Sequence, residues 1–342
     1  MTAYEESYAN VDVHRLMIED KPRTLAYKEA IFRNKTLIEG KVIMDVGCGT
    51  GILSIFCAQA GAKKVHAVEC SSIAKLAKKV VSENDFDSIV QVHECKIEDL
   101  VLDEKVDVIV SEWMGFYLLH EGMLQSVIYA RDRFLKPEGA LFPESADLWA
   151  AACELPRYFD DWDDYYGVKM KSIGEFDREA RTEPAVTVVK PEHLLMEPSV
   201  LATFSMSTVT CDELEKITSK VLSPATRSGQ YQGICLWFVV NFPSDEEYLN
   251  LSTAPGEPET HWQQTAIVFK DCLEIEKGQP LAFEIVLKSR EDDARKYGME
   301  VSMLDPETEE HPVPCACYLT KCIVVRTYLE QAMSVENDLE DE

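Results

Sequence analysis

The chain has 342 residues, 46% of them hydrophobic, which is enough for one or two folded domains and excludes a disordered protein. Its 61 acidic residues outnumber 34 Lys and Arg, giving a formal net charge of -27. This charge argues against direct nucleic-acid binding, because phosphate neutralisation needs a basic surface. It favours cationic partners, although a need for solubility would also account for it.

Residues 1–145 alternate strand and helix patterns, which predicts a Rossmann-like domain with a parallel sheet covered by helices. The predicted strands are 41–47, 64–69, 89–94 and 106–112. The predicted helices are 51–61, a segment from Ser71 or Ser72 through 84, and 123–135. An α/β fold is therefore expected for this half.

Residues 146–333 show short apolar alternations separated by Pro, Gly and acidic clusters, which predicts an antiparallel β-barrel domain. The polar insertion at 158–182 carries Trp162, Tyr165 and Tyr166, the residue types expected of interface anchors. Residues 334–342, "SVENDLEDE", are expected to form a solvated acidic tail.

The chain shows neither a leader peptide nor a transmembrane segment, so we expect no membrane association and a location in the nucleus and/or cytoplasm. Its 11 cysteines are odd in number and mostly lie in apolar runs, as is typical of free thiols in a reducing compartment. Cys315, Cys317 and Cys322, with His311 nearby, are candidate metal ligands. Their run "CACYLTKCIVV" has a strand pattern and lacks paired C-x-x-C motifs, so we expect no metal.

A glycine loop, "DVGCGTG", joins the first strand to its helix and contains Gly47, Gly49 and Gly51. The spacing G-x-G-x-G differs from the dinucleotide pattern G-x-G-x-x-G. Glu69 ends the second strand, where a carboxylate can accept hydrogen bonds from two ribose hydroxyls. The combination is typical of methyltransferases that use S-adenosylmethionine, although an ordinary strand–helix turn also favours glycine.

The segment "SEWMGFYLLHEGM" carries two carboxylates, Glu112 and Glu121, and no Lys or Arg. Glu112 ends the fourth strand, at the sheet edge where ligands bind in such folds. A hairpin-like loop would return Glu121 to the same place. A guanidinium fits between two carboxylates, because it is planar, permanently charged and suited to bidentate contacts. The alternative is a solvated loop with incidental glutamates.

Four stretches, "VHRLMIEDKPRT" (13–24), "SEWMG", "HEGML" and "THW" (260–262), closely resemble the type I protein arginine methyltransferases. The resemblance runs along nearly the whole chain and is weakest over 158–230 and the tail; the subgroup of arginine methyltransferase six looks nearest. It implies methyl transfer from S-adenosylmethionine to arginine in histone tails or Arg-Gly-rich proteins, giving mono- and asymmetric dimethylarginine. It also implies a homodimer formed through an arm at about 158–182.

The resemblance also implies roles for individual residues. In donor binding, Arg23 would hold the carboxylate, Glu69 the ribose and Glu98 the adenine. The other residues assigned to the donor are Tyr8, His14, Gly47 and Gly49. The residues assigned to catalysis are Glu112 and Glu121, which hold the guanidinium, and His261 and Asp20, a dyad that helps to remove a proton. Those assigned to the substrate are Met17, Met123 and Trp262.

Ordinary structural roles are open for several of these residues: Met17 and Met123 as core, Arg23 as a surface helix residue, and His261 as a structural histidine. His120 is interpreted as a loop neighbour of Glu121. The chain departs from the family at Glu5 in "YEESY", an aromatic position, and at Phe116, where many members have Tyr.

Two other functions are alternatives to arginine methylation. A methyltransferase for a small cationic molecule would need a closed pocket, which the β-rich half argues against. A catalytically inactive binding module would be expected to lack a glutamate or the glycine loop, and this chain has both.

Overall fold

The computed structural model describes residues 10–244, 249–293 and 295–340, with side chains as far as residue 332 at the C-terminal end. Tyr8 and Glu5 lie outside the described residues. Within these ranges, no helix combines the length and apolar character needed to cross a membrane.

The first half contains a five-stranded parallel sheet in the order β3-β2-β1-β4-β5. Its strands, numbered in chain order from β1 to β5, are Val42–Val46, Lys64–Glu69, Val90–Glu94, Val106–Val110 and Leu135–Phe142. The helices α1 to α6 are Val11–Glu19, Lys21–Arg33, Lys35–Ile38, Ile52–Gln59, Ala74–Glu83 and Met123–Phe134. The predicted Rossmann-like fold is confirmed. Strand order reverses beside β1, which makes the carboxyl ends of β1 and β4 the expected ligand crevice.

Strand β1 is buried along its whole length, since it is central in the sheet and packs against helices α4 and α6. The helix predicted from Ser71 or Ser72 begins at Ala74, after a turn in which the Ser71 hydroxyl accepts a hydrogen bond from the backbone of Ile73.

The second half is antiparallel, as predicted, and its described strands form two sheets, ordered β7-β12-β10-β6-β8 (with β11 beside β10) and β14-β13-β9. Strands β6 to β14 are Ser145–Cys153, Ala185–Thr187, Ser199–Ser205, Lys216–Pro224, Gly229–Asn241, Asn250–Ser252, Gln264–Ile275, Pro280–Ser289 and Tyr297–Met303. One hydrophobic core runs through both halves. Arg131 of α6 ties them together by donating to the carbonyls of Met206 and Val209 at 2.9 and 2.8 Å.

Three further helices, α7 to α9, are Lys171–Ala180, Cys211–Glu215 and Thr320–Glu340. Helix α7 lies in the insertion, where Trp162 packs against Gly174 and Tyr165. Trp162 is therefore an internal contact of the insertion, whereas Tyr166 is fully exposed.

The strand pattern predicted for 315–325 is wrong. Residues 315–319 form a loop and α9 begins at Thr320, so the run Ile323 to Val325 is helical. Its β-branched residues favour a strand locally, but strand propensity depends on pairing with a neighbour. Helix α9 continues to Glu340, so the segment expected to be a tail is helical over that part.

Candidate active site

A cavity of about 590 Å³ opens at the carboxyl ends of β1, β2 and β4. Helices α1 and α2 border it with His14, Met17 and Arg23, and the second half contributes His261 and Trp262. The cavity therefore lies where the two halves meet, at the crevice expected from the strand order.

The glycine loop forms one wall of the cavity, with Gly47 and Gly49 at positive φ values of 72° and 52°. A Cβ at Gly47 would collide with the Met123 side chain, and one at Gly49 would lie 3.2 Å from the His14 ring. Glycine is required here because neighbouring side chains approach the backbone closely and the dihedral angles disfavour other residues.

Glu69 is anchored beside this loop by two backbone N–H groups. Its Oε2 accepts from Gly49 at 2.9 Å and its Oε1 from Ser71 at 2.8 Å, with only 7% of the residue exposed. Each carboxylate oxygen has a second lone pair, so the group is positioned to accept hydrogen bonds from two hydroxyls of a ligand in the cavity.

Glu112 forms a buried ion pair with Arg23 of α2. The Nη2 and Nε atoms of Arg23 lie 2.7 and 2.8 Å from Glu112 Oε2, and both side chains are 8% exposed. Asp20 caps α2 by accepting from the backbone of Arg23 at 3.1 Å, which fixes where the arginine side chain starts. The cation paired with Glu112 therefore comes from a residue 89 positions earlier in the chain, a contact that no local sequence pattern predicts.

Glu121 returns to the same cavity through a tight loop. Gly115 and Leu118 exchange two backbone hydrogen bonds of 3.0 Å, as in the expected hairpin-like arrangement. Glu121 has a φ of 79°, and its N–H donates to the Arg295 carbonyl of the second half at 2.7 Å. A loop of the second half thus holds this strained backbone and aims Glu121 at the cavity that Glu112 lines.

Asp20 and His261 form a dyad at the rim. Asp20 Oδ2 accepts from the His261 backbone at 2.8 Å and lies 2.6 Å from His261 Nδ1. Burial raises the pKa of Asp20, but hydrogen bonds from His261 and the Arg23 backbone outweigh it and hold that pKa below its ordinary value. The ionised carboxylate favours a proton on Nδ1, so Nε2 of the neutral ring is an acceptor.

Comparison with known proteins gives consistent matches over both halves. Residues 144–304 match the family described as the arginine methyltransferase oligomerization subdomain, and residues 30–140 match the ribosomal protein L11 methyltransferase (PrmA) family. The chain is 41% identical over 316 residues to protein arginine N-methyltransferase 6 of Danio rerio, covering 90% of each chain. It is 40% identical over 281 residues to protein arginine N-methyltransferase 1 of Dictyostelium discoideum, covering 81% of each. The chain belongs to the protein arginine N-methyltransferase family.

The fold agrees with this assignment. The Trypanosoma brucei PRMT1 enzyme–prozyme heterotetrameric complex with AdoHcy matches at a TM-score of 0.79 and 32% identity, covering 90% of this chain and 98% of that chain. The expected activity, methyl transfer to protein arginine, and the expected donor, S-adenosylmethionine, are both confirmed by these relatives.

Glu98 and Trp262, two further residues assigned from the resemblance, also border the cavity of this arginine methyltransferase. Glu98 lies on a short turn where its Oε1 accepts from Ser126 at 2.8 Å. Trp262 is 3% exposed, donates to the Met114 carbonyl at 3.0 Å and contacts the His261 ring, with the two rings tilted by 37°. Of the assigned residues within the described ranges, all line the cavity except Asp20, which reaches it through His261.

His120, interpreted as a loop neighbour, is hydrogen-bonded to the Tyr117 hydroxyl at 2.9 Å and does not line the cavity. Phe116 does line it. The departure from Tyr at that position therefore lies at the site itself.

Two residues near the cavity of this methyltransferase, Arg295 and Asp45, were not predicted from the sequence. Arg295 lines it from a loop between β13 and β14, and no local pattern identifies it. Asp45 is completely buried within β1, where its Oδ2 accepts from Ser54 at 2.6 Å and its Oδ1 has no hydrogen-bond partner among the described residues. Burial raises its pKa to about 7. The sequence does mark Asp45 as unusual, because it is an acidic residue inside an otherwise apolar strand.

Proposed function

We propose that the protein is a type I arginine methyltransferase that forms monomethylarginine and asymmetric dimethylarginine on cationic protein segments. The observation that carries the proposal is the convergence of Glu112 and Glu121 on one cavity with the Asp20–His261 dyad at its rim. The similarity to relatives named protein arginine N-methyltransferase 6 and 1 supports it.

In this mechanism the two glutamates hold the guanidinium of the substrate and orient one nitrogen, while S-adenosylmethionine supplies the methyl group. Catalysis is then mainly positioning and electrostatic stabilisation. The ion pair with Arg23 offsets part of the negative charge of Glu112 and so reduces its repulsion with Glu121. His261 Nε2 accepts the proton released on methylation, and Asp20 stabilises the imidazolium that forms.

Substrates are proposed to be Arg-rich segments such as histone tails or Arg-Gly-rich proteins. The net charge of -27 attracts such cationic chains and raises their local concentration. The flexible side chains of Met17 and Met123 line the cavity, so they can adapt to a nitrogen that already carries one methyl group.

Mass spectrometry of a histone-tail peptide incubated with the donor tests this function. We expect one and then two methyl groups on the same arginine, with fragmentation that releases dimethylamine and so reports an asymmetric product. Release of monomethylamine from the dimethylated peptide would identify a symmetric product and contradict type I activity. A matched peptide with Lys at the target position should stay unmodified, since an ammonium group lacks the planar, bidentate donors with which a guanidinium binds two carboxylates.

We further propose that the enzyme is a homodimer in which the insertion at 158–182 of each subunit, the arm, covers helices α1 and α2 of its partner. The arm exposes apolar side chains at Tyr166, Val168 and Phe176, which are 101%, 51% and 72% exposed. The proposed receiving face exposes apolar side chains at Leu16, Leu25 and Phe32, at 56%, 56% and 41%. Exposed apolar patches of this kind mark protein–protein interaction sites. The match to the oligomerization subdomain, residues 144–304, includes the arm.

A further inference from the structure

The structure brings four potential metal ligands together outside the active-site cavity. His311, Cys315, Cys317 and Cys322 each offer one ligand atom, and these four atoms all lie within 4.8 Å of one another. The three cysteines are buried, with exposures of 4%, 0% and 4%. None of the four residues lines the active-site cavity. The cluster is therefore separate from the methyl-transfer machinery.

We propose that this cluster is a structural zinc site with three cysteine ligands and one histidine ligand. The sulfur atoms of Cys315, Cys317 and Cys322 lie 3.4, 3.5 and 3.2 Å from His311 Nδ1. A tetrahedral Zn²⁺ with Zn–S near 2.3 Å and Zn–N near 2.0–2.1 Å requires S···N separations of about 3.6 Å. The observed separations are close to that value.

Hydrogen bonding among the four side chains does not explain this arrangement. A neutral imidazole has a single acceptor lone pair, so one nitrogen cannot satisfy three thiols that converge on it. The other ring nitrogen, His311 Nε2, lies 2.7 Å from the Pro306 carbonyl and donates to it. That contact leaves the lone pair on Nδ1, directed at the three sulfurs. Metal-binding histidines commonly donate their other ring N–H to a carbonyl or carboxylate in this way.

Among the described residues, the segment around the cluster has no larger hydrophobic core. Among the described residues, the three cysteines form a separate apolar cluster, with Leu319 alone packed against it. So small a cluster contributes little burial energy, and short loop-rich segments of this kind commonly need a metal or disulfide. A disulfide would use two of the three sulfurs, whereas a tetrahedral ion uses all four ligands.

Neighbouring residues shape the loop and balance the charge. Lys321, at the start of α9, donates to the carbonyls of Glu307 and Glu309 at 2.9 and 3.1 Å. On binding Zn²⁺ the three thiols release their protons to solvent, so the loaded site carries a charge of about -1. Arg326 donates to the Cys315 carbonyl at 2.6 Å and places a cation beside that charge.

The proposed ion would cross-link the start of α9 to the loop that follows β14 in the second half of the molecule. Cys322 lies in the first turn of α9, whereas His311 and the other two cysteines lie in the loop that follows β14. The loop also contacts the turn before β13, where the Tyr318 N–H donates to the Gly278 carbonyl at 3.0 Å. With four protein ligands the site is closed, which is the arrangement of structural zinc.

Metal analysis of the full chain, purified without chelator and free of a histidine tag, tests the proposal. We expect one zinc per chain by inductively coupled plasma mass spectrometry. The zinc content of Cys317→Ser and of Cys322→Ser should be at least tenfold lower. Cys272→Ser removes an exposed thiol outside the cluster and should keep its zinc. Glu112→Gln, designed to be inactive in the proposed function, should also keep it, so the two proposals fail separately.

Spectroscopy of the wild-type chain decides the matter if the cysteine variants do not fold. Replacement of zinc by Co²⁺ should give the intense absorption of a four-coordinate, thiolate-rich site. A weak octahedral spectrum would overturn the proposal. So would less than a tenth of a zinc per chain after expression in zinc-supplemented medium, or a disulfide among the three cysteines detected by peptide mapping.

Discussion

Glu112 is held from two sides, by the guanidinium of Arg23 and by the backbone N–H of Met114 at 3.1 Å. Glu112→Gln keeps the volume and removes the charge, so methyl transfer should fall by several orders of magnitude, because such electrostatic groups contribute roughly 3–4 kcal/mol each. The substitution also leaves a buried arginine without its counter-ion, which should lower the free energy of unfolding by about 3–5 kcal/mol.

Glu121→Gln is the control for the loss of stability, since it removes one carboxylate charge but leaves the Arg23–Glu112 ion pair intact. It should abolish turnover to a similar degree with a smaller loss of stability. The double variant should lose less activity than the sum, because both glutamates act on one guanidinium. Near-wild-type turnover in either single variant, measured with donor binding intact, would show that the carboxylates are ordinary loop residues.

Glu69 is rigidly held, which makes it a direct test of the donor pocket. Glu69→Ala removes a charged acceptor, and hydrogen bonds to charged groups contribute about 1.5–3 kcal/mol each. We expect donor affinity to fall at least tenfold in titration calorimetry. Ser126→Ala removes a hydrogen bond to Glu98 alone and should weaken donor binding less. Unchanged affinity in Glu69→Ala would contradict the assignment of the ribose site.

Asp45 should make stability depend on pH. Its pKa is about 7 in the folded protein because it is buried, against about 4 in the unfolded chain. The folded state therefore binds the extra proton. The resulting stability is fully present below pH 4 and is lost as the pH rises through 7.

Asp45→Asn removes this titration. Between pH 5 and 8, the wild type should lose on the order of 3 kcal/mol of unfolding free energy relative to the variant, as measured by chemical denaturation. The comparison isolates Asp45, because other carboxylates titrate alike in both proteins. Parallel pH curves for the two proteins would contradict the raised pKa.

At the level of elements, the arm and helices α1 and α2 depend on each other in the proposed dimer. Tyr166 and Phe176 point away from their own chain, whereas Trp162 packs inside the arm. Replacing Tyr166 and Phe176 with Ser should give monomers in light scattering at micromolar concentration, because the anchors of the interface are lost. Donor binding should weaken as well, since α1 and α2 border the cavity and would lose their cover.

Val101→Ser controls for the loss of an exposed apolar side chain elsewhere, as Val101 is 87% exposed on a loop of the first half. It should remain dimeric. A dimer that persists in the Tyr166/Phe176 double variant would refute the arm as the interface.

In the whole molecule, the candidate active site depends on how the two halves meet. The first half provides the glycine loop and both glutamates, and the second provides His261, Trp262 and the Arg295 carbonyl that holds Glu121. Because one hydrophobic core runs through both halves, these groups are held in a fixed relation. Neither half alone contains the complete site.

The sequence by itself determined the features that local patterns encode. Apolar runs predict the parallel strands, the glycine spacing predicts a donor-binding loop, and the motifs around Glu112 and Glu121 predict the chemistry. Each depends on residues within one turn or strand, where periodicity and backbone preferences act directly. The tertiary structure alone decided the Arg23–Glu112 pair, the role of Arg295 and the grouping of His311 with three cysteines. These contacts depend on where distant segments meet. In the histidine–cysteine group, residues 315–325 form a loop and the start of α9, although their local sequence favours a strand.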